Sequence, residues 1–293
     1  MNNNIKNILI TGANGQLGRE MHLVLNDKPQ LNVCYTDVQE LDITDAQAVE
    51  EFVATNHIDC IVNCAAYTAV DAAEQNQALC RLLNVDAPKL LAQVANRHGA
   101  RLVHISTDYV FDGMGCRPYR EDDPVCPQSV YGSTKADGEA AVQAELPSAV
   151  IIRTAWLYSP HGKNFVKTML TLGRQRDSLR VVVDQVGTPT YAFDLAQAIV
   201  AVILADKWMP GIYHFTDEGA ISWYDFTKAI HSMAGIVTCD VQPCSTADYP
   251  TPARRPHYSV LDKTKIKNTF GFRIPYWEDS LRHCIKRLEE NSI

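Results

Sequence analysis

Residues 8–18 read ILITGANGQLG, an apolar run that enters the spacing Gly-x-x-Gly-x-x-Gly. The apolar run predicts a buried strand, and the stretch 16–26 that follows predicts a helix. Gly12 and Gly15 allow a tight turn and a close approach of the backbone to a pyrophosphate, and Gly18 allows the helix to pack close to the strand. The free N–H groups and the positive dipole end of the helix favour phosphate. The segment therefore predicts the first strand, turn and helix of a dinucleotide-binding sheet.

A second predicted strand, 31–36, ends at Asp37, which follows Gly18 by 19 residues. A carboxylate at this place suits the 2′-hydroxyl of a ribose and repels a 2′-phosphate, which favours NADH. Arg19 lies directly after Gly18 and offers a partner for a 2′-phosphate, which favours NADPH. A glycine-rich turn with a capping Asp is the simpler interpretation. The order of strand, turn, helix, strand and acid favours the nucleotide, and both NADPH and NADH stay open.

The first half of the chain alternates between strand-like and helix-like segments. The predicted strands are 7–11, 31–37, 59–65, 101–107 and 149–156, and the predicted helices are 16–26, 45–56, 79–98 and 131–145. Apolar strands separated by helices indicate an α/β fold, a Rossmann-like doubly wound parallel sheet. We expect a dinucleotide-binding domain over 1–160, with later segments returning to it, and a smaller C-terminal substrate-binding lobe mainly over 161–293. Within that lobe, 240–256 is rich in proline and is predicted to be a long surface loop.

Composition limits the partners. The chain has 293 residues, 46% of them hydrophobic and 21% charged, with a net charge of −7 and no long basic run. These values are ordinary for a globular protein and argue against nucleic acid or a membrane as the main partner. The nine cysteines are scattered, without zinc spacing, and suit reduced thiols. No signal peptide is visible before the first strand, so we expect a cytoplasmic protein, a monomer or a homodimer, with no bound metal.

Tyr131 and Lys135 form a Tyr-x-x-x-Lys pair on a predicted helix. This spacing places both side chains on one face, and a nearby ammonium favours the phenolate and lowers the pKa of the phenol. Thr107 ends the predicted fourth strand, where its hydroxyl is able to hydrogen-bond a substrate carbonyl. The three residues therefore predict acid/base chemistry at a carbonyl, with Thr107, Tyr131 and Lys135 as the catalytic residues.

These motifs together resemble the extended short-chain dehydrogenase/reductases. Further blocks resemble one branch of them, the dTDP-4-dehydrorhamnose reductases, over nearly the whole chain. The blocks are NCAAYTAVD at 63–71, STDYVFDG at 106–113, YGSTK at 131–135, RTAWLY at 153–158, DQVGTPT at 184–190 and RPHYSVL at 255–261.

The resemblance implies NADPH- or NADH-dependent reduction of the C4 keto group of dTDP-4-dehydro-L-rhamnose to dTDP-L-rhamnose. It assigns Tyr131 as the proton donor to the keto oxygen. Lys135 would hold the nicotinamide ribose and tune Tyr131, while Thr107 would polarise the ketone. The substrate would be contacted by Thr107, Asp108, Trp156, Arg254 and Arg255, the two arginines meeting its diphosphate.

The resemblance also assigns the cofactor contacts. They are Gly12, Asn14, Gly15, Gln16, Leu17, Gly18, Asp37, Asp42, Ile43, Ala65, Ala66, Tyr67 and Thr68, together with Tyr131 and Lys135. Asn84 matches a structural Asn that orders the Lys through water.

Some members of this branch bind Mg²⁺ through Glu side chains at a dimer interface. Glu20 matches one of these ligands. Three residues after Thr190, where those members carry an acid, this chain has Phe193. Because Mg²⁺ prefers several oxygen ligands, this difference argues against the metal and against dimerisation by that route.

Other functions of the same superfamily compete with reduction. A 4,6-dehydratase carries Thr-Asp-Glu after the fourth strand, whereas this chain has Tyr109 in place of the Glu. A nucleotide-sugar 4-epimerase shares the catalytic set and differs in retaining its NAD. A regulatory subunit that binds a dinucleotide without turnover, or a sensor of the nicotinamide ratio, has no need of Thr107, Tyr131 and Lys135 together.

Overall fold

The computed structural model describes residues 5–290. The strands are β1 Asn7–Thr11, β2 Asn32–Thr36, β3 Cys60–Asn63, β4 Arg101–Thr107, β5 Val150–Thr154, β6 Leu157–Tyr158, β7 Ser178–Val182, β8 Val186–Gly187, β9 Thr190–Tyr191, β10 Gly211–His214, β11 Ile221–Ser222 and β12 Asp240–Cys244. The α-helices are α1 Gln16–Asn26, α2 Ala46–Thr55, α3 Val70–Ala73, α4 Gln77–Arg81, α5 Ala87–His98, α6 Val130–Glu145, α7 Phe165–Gln175, α8 Ala192–Leu204, α9 Trp223–Met233, α10 Thr264–Phe270 and α11 Trp277–Glu290. No helix within the described residues is both long and apolar enough to cross a membrane.

Six parallel strands form the central sheet in the order β10-β5-β4-β3-β1-β2. The first strand lies inside the sheet and the chain winds outward from it in both directions, as in a doubly wound fold. The predicted α/β class is confirmed. Strand β10 comes from the second half of the chain and completes one edge, next to β5.

Two apolar cores cover the two faces of this sheet. Helices α1 and α8 pack together on one face, over side chains that include Ile8 and Ile10. The other face carries Leu9 and Ile61 beneath α2, α5 and α6. Every strand in the middle of the sheet is buried on both sides, which explains the near-continuous apolar runs in the sequence.

The carboxyl end of the sheet is different, because polar side chains replace apolar ones there. Thr11 on β1 is in register with Asn63 on β3, and Asn63 is in register with His104 on β4. Side chains in register on neighbouring strands point to the same face, so the three form one polar row. All three are at most 1% exposed.

A third core lies outside the central sheet. It joins side chains of α7, α9 and α11 to the two-stranded parallel sheet of β7 and β12. Residues beyond 160 thus build this core as well as α8 and β10 of the main sheet. The division into domains at residue 160 stays a prediction.

The predicted loop over 240–256 is wrong in its first part. Asp240–Cys244 forms β12, and Thr246–Asp248 forms a short 3₁₀ turn. Proline normally interrupts a sheet because it lacks an N–H donor, yet it is accepted on an edge strand. Pro243 lies opposite Val181 in a sheet of only two strands, where each strand is an edge.

One helical stretch contains a wider turn. Between α4 and α5 the residues Leu82–Asp86 adopt a π-helical turn, a form that is common near functional sites. This turn brings the carbonyl of Asn84 against Gly138 of α6, so closely that a Cβ atom at position 138 would overlap the oxygen. The contact fixes how closely α6 lies to the preceding helix.

Candidate active site

The glycine-rich turn forms a backbone cradle at the carboxyl end of β1. Gly12 has a φ of +64°, and a Cβ there would lie 2.7 Å from the backbone nitrogen of Ala65. Gly18 packs against the Gly12 carbonyl, which leaves no space for a side chain. Helix α1 begins at Gln16, the preceding Gly15 offers no side-chain cap, and the first turn contains no acid. Its first amides are therefore open to an anion, and the cradle fits the diphosphate of a dinucleotide.

Asp37 lies against this turn. Its carboxylate accepts hydrogen bonds from the backbone nitrogens of Asn14 (3.0 Å) and Val38 (2.8 Å). Arg19 donates from Nε to the carbonyl of Asn14 at 3.1 Å. Asn14 and Arg19 also line an open cleft of about 520 Å³ that continues to Tyr35. Asp37 and Arg19 therefore both contact Asn14. A carboxylate suited to a ribose hydroxyl and a guanidinium suited to a 2′-phosphate lie beside the same turn.

The other predicted cofactor residues divide into two groups. Leu17 and Ile43 are core residues, and Asp42 is an exposed residue whose carboxylate accepts from both the backbone nitrogen and the hydroxyl of Thr44. Gln16 accepts from Asn164 at 2.9 Å, which ties α1 to the segment after β6. The second group follows β3 at the sheet edge, half-buried or exposed, and consists of Ala65, Ala66, Tyr67 and Thr68.

Tyr131 and Lys135 lie on one face of α6, and both are buried. Ser129 caps this helix by accepting from the backbone nitrogen of Gly132 at 3.1 Å. The Lys135 ammonium donates to the carbonyl of Ile105 on β4 at 2.6 Å. The ring of Tyr131 packs edge-on against Tyr109, with 5.4 Å between centroids. Helix α6 thus presents the phenol and the amine to the end of β4, where Thr107 lies.

Burial governs the titration of both groups. It raises the pKa of Tyr131 above its ordinary value, and a hydrogen bond with Thr107 opposes this shift. Burial lowers the pKa of Lys135 to about 8, against the attraction of Glu139. From the sequence we expected the ammonium of Lys135 to lower the pKa of Tyr131. In the structure the ammonium is directed to the main chain of β4, and burial of the phenol dominates.

Thr107 and Asp108 form a hydrogen-bonded pair at the end of β4. The Thr107 hydroxyl donates to Oδ1 of Asp108 at 2.9 Å. Burial raises the pKa of Asp108 to about 7, although the bond from Thr107 opposes the shift. A carboxyl that titrates near neutral pH therefore stands next to the hydroxyl predicted to polarise the ketone.

Arg255 contacts Tyr109 and Asp71 from the far end of the chain, whereas the neighbouring Arg254 has a different partner. The Arg255 guanidinium donates to the hydroxyl of Tyr109 at 2.9 Å and forms an ion pair with Asp71 of α3. Arg254 is exposed and donates to Gln128 at 3.2 Å. Asp71 also accepts from the backbone of the same loop, at Ala253. This pairing could not be predicted from the sequence, because Asp71 and Arg255 are far apart along the chain.

Trp156 has the left-handed backbone conformation, with a φ of +50°. Its ring stacks on Trp223 with centroids 3.4 Å apart and planes inclined by 10°. A Cβ at Gly187 would lie 2.5 Å from this ring, so the ring is held on both sides. A left-handed conformation is rare for a residue with a bulky side chain and marks a functional or strained position. Trp223 was missed by sequence reasoning.

Glu139 and Arg153 are also absent from the predicted site. They form a buried ion pair, with contacts of 2.9 and 2.6 Å. Glu139 follows Lys135 by four residues, as Lys135 follows Tyr131, so all three share one helix face. The repeated spacing of four residues was the signal in the sequence that could have identified Glu139. The ion pair of Glu139 and Arg153 thus adds two buried charged groups to the polar region of the site, next to Lys135.

The residues around Glu20 do not fit a Mg²⁺ site. Glu20 is fully buried, and its two oxygens accept from Nη1 of Arg287 at 3.0 and 2.8 Å. Arg287 also contacts the hydroxyl of Tyr191. Across the described chain no group of three or more His, Cys, Asp or Glu side chains is arranged to hold a metal. An arginine of the last helix supplies the positive charge to Glu20.

Comparisons with known proteins agree with this geometry. The family model described as RmlD substrate binding domain matches residues 6–290. A dTDP-4-dehydrorhamnose reductase of Aggregatibacter actinomycetemcomitans is 42% identical, over 94% of this chain and 97% of its own length. A crystal structure of a dTDP-4-dehydrorhamnose reductase from Clostridium acetobutylicum has a TM-score of 0.93 at 48% identity, covering 97% of this chain and 99% of that one.

A dTDP-4-dehydrorhamnose reductase from Bacillus anthracis was solved in complex with NADP. It has a TM-score of 0.92 at 37% identity, with 97% of this chain and 99% of that chain covered. Family model, sequence relatives and solved structures each extend over almost the whole chain, including the glycine-rich turn, helix α6 and the later lobe. The chain belongs to the RmlD substrate binding domain family, the family of the dTDP-4-dehydrorhamnose reductases.

Proposed function

We propose that this protein uses NADPH or NADH to reduce the C4 keto group of dTDP-4-dehydro-L-rhamnose, giving dTDP-L-rhamnose in the last step of its biosynthesis. One observation carries the proposal. Thr107, Tyr131 and Lys135 are buried together at the carboxyl end of β4, in a chain of the reductase family. The glycine-rich cradle of β1 lies two strands away at the same edge of the sheet.

The bound nicotinamide supplies a hydride for the carbonyl carbon. The hydroxyl of Tyr131 donates a proton to the keto oxygen, and the hydroxyl of Thr107 holds that oxygen in place. Because burial raises the pKa of Tyr131, the phenol is protonated before the reaction, as a proton donor must be. The phenolate left behind needs a positive charge nearby.

Lys135 provides that charge. Its pKa, lowered by burial to about 8, keeps most of the amine protonated at neutral pH. An amine in this range is able to return a proton to the phenolate without a large barrier. Glu139 favours the protonated form, and its own charge is balanced by Arg153.

The substrate site lies between the end of β4 and the later lobe. The stacked rings of Trp156 and Trp223 offer an apolar wall for the sugar. Arg255 offers a guanidinium within reach of Tyr109, suited to a diphosphate oxygen. Arg254, exposed on the same loop, is the second candidate for the diphosphate.

Tyr109 separates this site from that of a dehydratase. Elimination of water needs a second acid or base beside Asp108, and Tyr109 instead holds its hydroxyl against Arg255. The proposed reaction therefore stops at reduction. A 4-epimerase with the same catalytic set differs in its need to retain the oxidised cofactor.

We place this reaction in the cytoplasm, carried out by a monomer or a homodimer. All nine cysteines of the chain are free thiols, as is usual in a reducing compartment. Cell fractionation and light scattering on the purified protein test the two parts of this proposal.

The deciding experiment supplies dTDP-4-dehydro-L-rhamnose with NADPH or with NADH and follows the loss of nicotinamide absorbance. NMR of the product should show dTDP-L-rhamnose. The proposal fails if the keto sugar is not reduced with either cofactor. Conversion of UDP-galactose to UDP-glucose by the same preparation would identify an epimerase instead.

A further inference from the structure

A buried polar chain connects Lys135 to the glycine-rich turn. Nζ of Lys135 lies 3.4 Å from Nε2 of His104, and Nδ1 of that ring lies 3.1 Å from Nδ2 of Asn63. Oδ1 of Asn63 accepts from the hydroxyl of Thr11 at 2.8 Å and from the backbone nitrogen of Ala65 at 3.1 Å. The chain crosses strands β4, β3 and β1 and ends beside Gly12.

The direction of these hydrogen bonds is set by Ala65. Its backbone N–H is a donor in every protonation state, so the atom of Asn63 that faces it must be the amide oxygen. The amide nitrogen of Asn63 is then directed at His104 and donates to Nδ1. In a neutral imidazole one ring nitrogen accepts and the other carries the hydrogen. His104 is therefore the Nε2–H tautomer.

This tautomer directs an N–H group at Lys135. An ammonium has hydrogens and no lone pair, so it is repelled by a ring N–H, whereas a neutral amine accepts from it. The ionisable groups that face Lys135 from other positions are Glu139 on α6 and Cys80 on α4, and both favour the charged amine. His104 opposes them. The ring stays neutral because burial and Lys135 both lower the pKa of His104.

We propose that His104, held as the Nε2–H tautomer by Asn63, is a positioning residue that favours the neutral form of Lys135 and directs its Nζ. Donation of its proton to the keto oxygen leaves Tyr131 as a phenolate, and reprotonation of that phenolate is faster from an amine that gives up its proton readily. The catalytic part of this statement rests on the proposed reduction. The tautomer and its effect on Lys135 do not.

The first test needs no turnover and observes the wild-type protein, with one variant used only to assign a signal. Long-range ¹H–¹⁵N correlation spectra of the histidine rings distinguish the two tautomers, and the His104 signal is assigned from its absence in His104→Gln. We expect Nε2 to carry the hydrogen and Nδ1 to be a bare acceptor. A hydrogen on Nδ1 would overturn the proposal.

The second test reverses the tautomer. In Asn63→Asp one carboxylate oxygen still accepts from Ala65 and Thr11, while the other accepts from Nδ1–H of His104 and turns Nε2 into an acceptor. The titration of Lys135 is followed in protein labelled with ¹³C at the lysine Cε, with Lys135→Met for assignment. We expect Asn63→Asp to move this titration upward by about one pH unit or more.

His104→Gln is the second variant, since its amide oxygen is free to accept from Nζ, and it should move the titration in the same direction. His214→Gln is the matched control. His214 is equally buried but bonds to the carbonyl of Tyr119, away from Lys135, so its variant should leave the Lys135 titration unchanged. An unchanged titration in both Asn63→Asp and His104→Gln would overturn the proposal.

The pH profile of kcat then gives the catalytic readout. The falling limb at high pH, where Lys135 loses its proton, should shift upward in Asn63→Asp and His104→Gln, while KM for the cofactor changes little. If the NMR shifts occur and the kcat profile does not follow, His104 acts on Lys135 without setting the rate. If wild type fails to reduce the keto sugar, the proposed function fails while both NMR tests still decide the inference.

Discussion

The guanidinium of Arg287, on the last helix, holds the carboxylate of Glu20, on the helix that begins at the glycine-rich turn. The two residues are separated by most of the chain, so their pair ties α11 to α1. Glu20 is fully buried, and burial raises its pKa although Arg287 opposes the shift. Arg287 therefore keeps a charged side chain stable inside the protein.

Arg287→Met should destabilise the fold by about 3–5 kcal/mol at pH 7.5, because it leaves a buried carboxylate without a partner. Loss of the guanidinium raises the pKa of Glu20 further, so protonation relieves the cost as pH falls. The gap between the unfolding free energies of variant and wild type should narrow from pH 7.5 to pH 5.5. Urea unfolding at both values measures it, and a constant gap would contradict the assignment to Glu20.

Treatment with EDTA should leave the reductase rate within about twofold of the untreated protein, since Arg287 already neutralises Glu20. The measurement compares kcat before and after dialysis against chelator, with added Mg²⁺ as the control. A loss of activity that Mg²⁺ restores would show a metal requirement that the described residues do not suggest.

Tyr131→Phe should lower kcat by roughly 10²–10⁴, the usual contribution of a positioned acid. Affinity for NADPH, measured by fluorescence titration, should change little because the ring remains. Tyr213→Phe is the control, because Tyr213 lies on strand β10 at the sheet edge. This variant removes a hydroxyl that donates to the carbonyl of Met209. More than half of the wild-type rate in Tyr131→Phe would remove this residue from the proton-donor role.

Asp37→Ala should narrow any preference for NADH over NADPH, because the carboxylate no longer repels a 2′-phosphate. Asp45→Ala is matched to it, as Asp45 also accepts from two backbone nitrogens but caps α2 instead. The control should lose about 1 kcal/mol of stability and keep the cofactor ratio. If wild type already prefers NADPH tenfold, Arg19→Ala becomes the variant that should change the ratio.

Trp156→Ala should raise KM for the sugar nucleotide by roughly tenfold, equivalent to about 1.4 kcal/mol, and leave the affinity for NADPH unchanged. The physical reason is the loss of one of two stacked rings that form the proposed sugar wall. Trp208→Ala is the control: this indole donates to the carbonyl of Ser148 instead. An equal rise in KM in both variants would indicate general destabilisation.

Asp108→Asn should flatten the dependence of stability on pH. Burial raises the pKa of Asp108 to about 7, so the folded state binds its proton more tightly than the unfolded state does. The contribution of Asp108 to stability therefore falls as pH rises from about 4 to 7, by up to about 4 kcal/mol, and the Asn variant lacks this loss. Thermal unfolding between pH 5 and 8 measures the difference.

Asp112→Asn is the control, because the pKa of Asp112 is shifted in the opposite direction from that of Asp108. Hydrogen bonds from Met114 and Tyr119 lower the pKa of Asp112, so its contribution is lost only as pH falls into the acid range. Between pH 5 and 8 the stability of this variant should change with pH as the stability of wild type does. If the stability of Asp108→Asn also changes with pH as that of wild type does, Asp108 does not titrate near neutral pH.

The sheet was predictable because its signals are local. Each strand from β1 to β5 is built around an apolar run, and each strand ends at a polar residue. Helix α1 and strand β4 have the predicted bounds, because Gly15 directly precedes the first residue of the helix and Thr107 ends the strand. Strand β12 was missed because its proline is a breaker in general and is harmless only at an edge, which depends on the partner strand.

The residues proposed as catalytic were visible as motifs, while their surroundings were not. The sequence predicts Tyr131 and Lys135 on one helix face, and says nothing of the Ile105 carbonyl that the ammonium contacts. His104 is fully buried within strand β4, yet it faces Nζ of Lys135. Contacts of this kind join strands and helices that are distant along the chain, so only the fold reveals them.

The π-helical turn at Asn84 has a consequence for sequence variation. Gly138 lies three residues after Lys135 on α6, and a side chain there would press on the Asn84 carbonyl and push α6 away from the π-helical turn, together with Tyr131 and Lys135. A backbone oxygen has no alternative rotamer with which to make room. The placement of the phenol thus depends on a main-chain contact between α6 and the π-helical turn, and position 138 should tolerate fewer substitutions than many residues that line the substrate site.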